Sequence, residues 1–203
     1  MTALLLFSAL LALLEMDTTY IGQFLFSRPL VAGGILGFLT GDFLLGLQLG
    51  LFTELLYLDF MPIGGVVPPS GAISAGMGVL AVYFFGIPVY FAFFAGIVCG
   101  VIFSFIERHI RRRRVVILQS AEKEIIAGRL CAAQLIAKSL VLQYLIIFAF
   151  VLVMLTAACP VLAFISLGLP EKVHIAFKFS YFIAPWMGLA ALFLSFSVKP
   201  KTD

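Results

Sequence analysis

Residues 29–58 read PLVAGGILGFLTGDFLLGLQLGLFTELLYL, a run of apolar and small side chains whose only charges are Asp42 and Glu54. As one α-helix it would extend about 45 Å at about 1.5 Å per residue, well past the roughly 30 Å of hydrocarbon in a bilayer. Divided at Gly41-Asp42, it gives two segments, 29–41 and 43–58, and the first is too short to cross. Residues 72–86 form another short apolar segment. Half-crossings of this kind persist only where their free backbone groups are buried in protein or line a wet cavity, and transporters use them to hold polar substrates. A single long span over 29–58, tilted or kinked, is the other reading of the same spacing.

Either reading makes lipid the solvent. The chain is 63% hydrophobic and 11% charged, with a mean hydropathy of +1.18, too little polar material to coat a soluble globule of 203 residues. The expected fold is all-α, a polytopic transmembrane helical bundle of about six to seven apolar segments, some re-entrant or broken. Those segments run over 3–26, 29–41, 43–58, 72–86, 88–106, 140–159 and 179–198. One membrane domain, 1–203, accounts for them all, with a glycine-rich half (1–106), an amphipathic connector (107–139) and a C-terminal hairpin (140–203). Met1 to Leu14 lacks a basic leader region and reads as the first membrane helix.

Charge is divided unevenly. Residues 1–106 carry Arg28 against Glu15, Asp17, Asp42, Glu54 and Asp59, a net of −4, whereas 107–203 carry a net of +7. Arg108 and Arg111 to Arg114 directly follow an apolar stretch, which marks a cytoplasmic anchor and argues against a nucleic-acid surface. By the same rule 107–138 and the C-terminal Lys199 and Lys201 belong in the cytoplasm. Leu118, Ala121, Ile125, Ala132 and Leu135 recur at helical spacing, so the connector is predicted to be an amphipathic helix, a strut or a docking face for soluble proteins. A short outer connection is expected to hold Glu171, Lys172 and His174.

Several function classes lack their signatures. The sequence has no nucleophile elbow, phosphate-binding loop, dinucleotide fingerprint or metal-ligand cluster, so no cofactor or metal is implied. Cys99, Cys131 and Cys159 are isolated and read as small packing residues, and His109 and His174 as solvated interface residues. Gly33, Gly37 and Gly41, then Gly46 and Gly50, then Gly96 and Gly100 recur at four-residue steps and predict closely packed helices. Residues 61–71, with three prolines and three glycines and no charge, cannot be regular helix and are expected at membrane depth.

An ionisable group inside a membrane segment is costly unless paired or hydrated. Glu54 continues the Gly46–Gly50 face and should project into the bundle, where a carboxylate can accept the hydroxyls of a polar solute or, equally, serve as a structural acceptor for backbone or Tyr57. Glu15 and Asp17 either line the same cavity or mark water at the end of the first helix; Asp42 and Asp59 should lie at segment ends.

The run Arg28-Pro29-Leu30-Val31-Ala32, then Leu36-Gly37, Thr40-Gly41-Asp42, Gly46, Leu49-Gly50, Thr53-Glu54, Met61, Ile63-Gly64 and Pro68, resembles the IIC subunit of mannose/fructose/sorbose-type sugar phosphotransferase systems. The resemblance is specific over 28–75 and looser through the connector and Leu169-Pro170-Glu171. It implies a permease subunit of a bacterial inner membrane that takes a sugar, a hexose by expectation. It further implies pairing with a IID membrane subunit, phosphate supplied by soluble IIA and IIB proteins, and a homo-oligomer of heterodimers. The resemblance puts Glu54 beside the sugar path, which together with Glu15, Asp17 and Ser70 makes four candidate substrate-binding residues. Pro62 stands where the family pattern has asparagine, and Ser70 where it has aspartate. The family's final helices have no counterpart after Lys199, so a IID-type partner is expected to cover faces left open. Two other readings stand beside this one: a non-transporting homologue that senses or scaffolds phosphotransferase proteins, and an unrelated small exporter.

Overall fold

The computed structural model describes residues 1–18, 20–60, 67–126 and 132–197. Expectations placed on Met61, Pro62, Ile63, Gly64, Cys131, Lys199 and Lys201 lie outside these residues. Among the described residues the regular elements are all helices: α1 Thr2–Met16, α2 Pro29–Thr40, α3 Phe43–Leu56, α4 Gly71–Phe85, α5 Val89–Ile126, α6 Ala132–Val153, a π-turn Met154–Ala158, α7 Cys159–Gly168 and α8 Glu171–Ser197.

Two lengths of helix result. The stretches Val89–Arg114, Ala133–Gly168 and Glu171–Ser197 are long and apolar enough to span a membrane, whereas α1 to α4 have 15, 12, 14 and 15 residues. At about 1.5 Å per residue the four short helices reach only about 18–23 Å. Residues 29–58 are therefore two helices, and the single kinked span is excluded.

Local chemistry sets the break. Gly41 closes α2 in the left-handed region (φ +87°), where a side chain would be strained, and the Asp42 carboxylate accepts the Leu45 N–H at 3.1 Å to cap α3. The chain reverses and α3 returns antiparallel to α2, backbone against backbone. A Cβ on Gly33 would stand 2.5 Å from the Gly46 carbonyl oxygen, and one on Gly46 would stand 2.6 Å from Gly37 Cα. Gly33, Gly37, Gly46 and Gly50 of the predicted stripes are thus the hairpin's own interface, whereas a Cβ on Gly41 would meet nothing within 4 Å. The third pair, Gly96 and Gly100 of α5, receives Ser74 of α4 and Ser70, the residue that caps it.

The long helices differ from expectation in their ends. α5 continues without interruption past residue 106 to Ile126, so the first part of the connector extends a membrane helix and is not a separate element. The segment predicted as 140–159 runs on to Gly168 through the π-turn, which sits just before Pro160, a residue with no N–H to return to the preceding turn. Glu171, Lys172 and His174 are not loop residues, because α8 begins at Glu171 and only Leu169-Pro170 separates it from α7. Likewise the first apolar segment ends as a helix at Met16, ten residues short of its predicted limit.

Packing fixes direction. Tyr90 and Phe91 lie against His174, Phe91 and Phe94 against Phe177, and Phe93 against Tyr181, so α5 and α8 run parallel. The core lies where the short helices meet α5 and α6, around Leu11, Leu36, Leu49, Ile73, Met77, Leu80, Phe93, Phe103 and Ile147.

Candidate functional site

The N-termini of α2 and α4 come together at one end of the short-helix group, Pro29 packing against Gly71. Each helix start presents unpaired N–H groups and the positive end of a dipole, and each has drawn a carboxylate. Glu54, from the last turn of α3, accepts the Leu30 N–H at 3.1 Å and pairs with Arg28 at 3.2 Å. Glu15, from the last turn of α1, accepts the Ser70 hydroxyl at 2.6 Å, while Ser70 Oγ accepts the Ile73 N–H at 3.2 Å and so caps α4.

A cavity of about 400 Å³ opens between these helix ends. That volume suits a small polar ligand. The wall includes Glu15, Arg28, Glu54, Tyr57 and Ser70 from the short helices and their ends, Ser104, Glu107 and Arg111 from α5, and Gln143 from α6. Three of the four residues singled out from sequence, Glu15, Glu54 and Ser70, face one space. Asp17 does not line it. Its carboxylate accepts the Phe24 N–H at 2.8 Å and the Ser27 N–H at 3.3 Å, which folds the loop 17–28 beside the cavity mouth. Thr18, Tyr20 and Ser27 of that loop do reach the wall.

For Glu54 both readings of the sequence carry over, since it lines the cavity while each of its oxygens already accepts a hydrogen bond. Tyr57 is not its partner; the tyrosine hydroxyl meets Ser74 Oγ at 3.1 Å. Asp42 sits at the start of α3, and Asp59 lies in the turn beyond its end, accepting the Ser195 hydroxyl of α8 at 2.7 Å.

Sequence reading missed a second carboxylate centre. Glu107 is 5% exposed and accepts from Arg111 Nε at 2.8 Å, Gln143 Nε2 at 2.8 Å and the Tyr20 hydroxyl. Arg114 donates to the Gln143 oxygen and stacks its guanidinium 4.8 Å from the Tyr20 ring centre. A buried charge with three donors is satisfied, and the network ties α5, α6 and the 17–28 loop together. The signal was present in the spacing. Gly96, Gly100, Ser104, Glu107 and Arg111 share one face of α5, the same logic that singled out Glu54.

Among the described residues no group of three or more His, Cys, Asp or Glu side chains could hold a metal ion. The arrangement can bind a hydroxyl-rich solute, offering carboxylate and amide acceptors with arginine, serine and tyrosine donors around one space.

A cavity walled in part by the ends of half-length apolar helices, beside three stretches long and apolar enough to span, defines a polytopic membrane protein. Residues 1–200 match the family described as the sorbose-specific IIC component of the PTS system, and the chain belongs to that family. It is an integral membrane subunit of the sugar phosphotransferase type. Among solved structures, one described as a membrane protein aligns with a TM-score of 0.80 at 20% identity, covering 97% of this chain and 80% of that one. The mannose transporter ManYZ, solved in complex with microcin E492 (MceA), aligns with a TM-score of 0.69 at 20% identity, over 98% of this chain and 81% of the other. These two likenesses concern fold. No curated protein matches the sequence.

Proposed function

We propose that this chain is a IIC-type sugar permease subunit whose cavity between the α2 and α4 helix starts is the sugar site, with Glu15, Glu54 and Ser70 among its contacts. The observation that carries the reading is the meeting of two half-length helices, N-terminus to N-terminus, at a cavity where Glu15, Arg28, Glu54, Ser70 and Glu107 gather amid apolar surface. Transporters place polar solutes at such broken-helix ends. The sugar, a hexose in this reading, passes by a path completed with a IID-type subunit. Phosphoryl transfer is the work of IIA and IIB proteins, so this chain is not itself the enzyme. The likeness in fold to ManYZ, a mannose transporter, supports this reading.

Sidedness follows from charge. The parallel course of α5 and α8 sends the arginine run and Ser197 toward the same face, in keeping with cytoplasmic 107–138 and a cytoplasmic C-terminus. Cysteines introduced at Gln119 and Lys201 should resist an impermeant label in intact cells.

The test of function is transport. Membrane vesicles containing this chain, a IID-type subunit and the soluble phosphocarriers should accumulate sugar phosphate, and vesicles lacking this chain should not. A second reading, a sensor or scaffold that moves no sugar, draws support from the double engagement of Glu54 with Arg28 and Leu30. Vesicles that bind the phosphocarriers yet accumulate nothing would establish that alternative. The third sequence reading, an unrelated exporter, is overturned by the family match.

A further inference from the structure

The arginine run of α5 is split between two environments. Arg111 and Arg114 turn inward to Glu107, Gln143 and Tyr20. On the opposite face Val98, Ile102 and Phe105 are 55%, 38% and 59% exposed, an apolar stripe at the four- and three-residue steps of one helix side. In a membrane-length helix such a stripe meets acyl chains. The same steps lead next to His109 and Arg112, both exposed, with Arg108 and Arg113 on either flank. Arg108, Arg112 and Arg113 have no carboxylate partner among the described residues. Arg108 lies 5.6 Å over the Phe105 ring, and its Nε is buried with no hydrogen-bond partner among the described residues.

We propose that Arg108, Arg112 and Arg113, with His109, bind the phosphate of an anionic phospholipid headgroup whose acyl chains lie along Val98, Ile102 and Phe105. Charge complementarity and continuity select this occupant. The cations begin where the lipid-facing stripe ends, so one amphipathic molecule can satisfy both, and guanidinium groups match phosphate oxygens in geometry as well as charge. A soluble acidic protein would meet the charges but leave the apolar stripe unused. The inference depends on the membrane placement of α5 and is independent of whether the cavity takes sugar.

The experiment uses the full chain purified in mild detergent, with any subunit that accompanies it, and native mass spectrometry against phosphatidylglycerol, against phosphatidylcholine with the same acyl chains, and against inorganic phosphate. Phosphatidylglycerol should be retained and phosphatidylcholine lost. Retention should fall roughly fivefold for each of Arg108→Gln, Arg112→Gln and Arg113→Gln, and recover in part with lysine at the same positions. Unchanged size-exclusion behaviour of the single Arg112→Gln variant separates loss of lipid from loss of fold. Equal retention of both lipids, or occupancy by inorganic phosphate without lipid, would overturn the proposal. So would a triple variant that keeps its phosphatidylglycerol but sheds an accompanying subunit, since the cluster would then be a protein-docking surface.

Discussion

The α2–α3 hairpin and the α6–α8 region solve the same problem, burial of helix in an apolar medium, by opposite means. In the hairpin the backbones touch, and Gly33, Gly37, Gly46 and Gly50 stand where any Cβ would strike the facing helix. In α6–α8 the helices carry large side chains outward: Phe164, Trp186 and Phe196 are 80%, 70% and 77% exposed. Between helices in lipid there is no hydrophobic drive to associate, because hydrocarbon is as apolar as leucine. Close backbone packing and polar contacts must supply the cohesion, and both are concentrated at the short helices. The short helices supply the helix ends at the site, and of the long ones α5 and α6 close its wall.

The sharpest break of that contrast is a side chain at the hairpin interface. Gly46→Leu should abolish recovery of folded protein by size-exclusion chromatography in mild detergent, a loss above about 3 kcal/mol, because the clash is with backbone that cannot rotate away. Gly168→Leu, where an added Cβ meets nothing within 4 Å, should leave the elution profile unchanged. If both variants behave alike, the two regions do not differ in the way claimed. Next in size is Glu107→Leu. It leaves Gln143, Tyr20 and Arg111 without their acceptor, and about 3 kcal/mol is expected, toward the low end for a broken buried pair because Arg111 retains solvent contact. A detergent melting midpoint within error of the parent would mean that the network is dispensable.

Glu54→Gln probes function in the packed region with less disturbance. The amide oxygen can still take the Leu30 N–H, so the fold should survive, while the charged acceptor and its pairing with Arg28 are lost. Uptake of sugar phosphate should drop about tenfold or more, the worth of one charge-assisted hydrogen bond. Undiminished uptake would make Glu54 a capping residue and nothing else.

The helical class and the glycine interface were legible in the sequence from local periodicity, and Glu15 and Glu54 stood out by the cost of charge in lipid, whereas Ser70 entered only through the family resemblance. Asp17 was not separable from Glu15 by that argument. Two residues along the chain, one carboxylate faces the cavity and the other folds a loop whose Gln23 and Leu25 adopt positive φ, an outcome of tertiary fit. Glu107 was lost to a boundary: ending the apolar segment at 106 put a buried carboxylate among solvated arginines, although α5 continues unbroken through it. Hydropathy marks where lipid ends, and helices need not end there.

The smallest expected effect lies on the far side of the comparison. Leu167 of α7 is 86% exposed and neighbours Phe164 on the same outward surface, so Leu167→Ala removes contacts with lipid or detergent alone. The change in stability should stay within about 0.5 kcal/mol, as for surface substitutions away from special features. The measurement is worth making in two settings, this chain by itself and the chain purified with an accompanying IID-type subunit. If the substitution is neutral in both, α7 faces lipid. A cost of more than about 1 kcal/mol confined to the complex would show that protein covers this surface, since only a packed neighbour can register a lost isobutyl group as a cavity. In that case part of what counts here as the lipid-facing region would be an interface, and the line between the two regions would move from between α5 and α6 to the outer surface of α7.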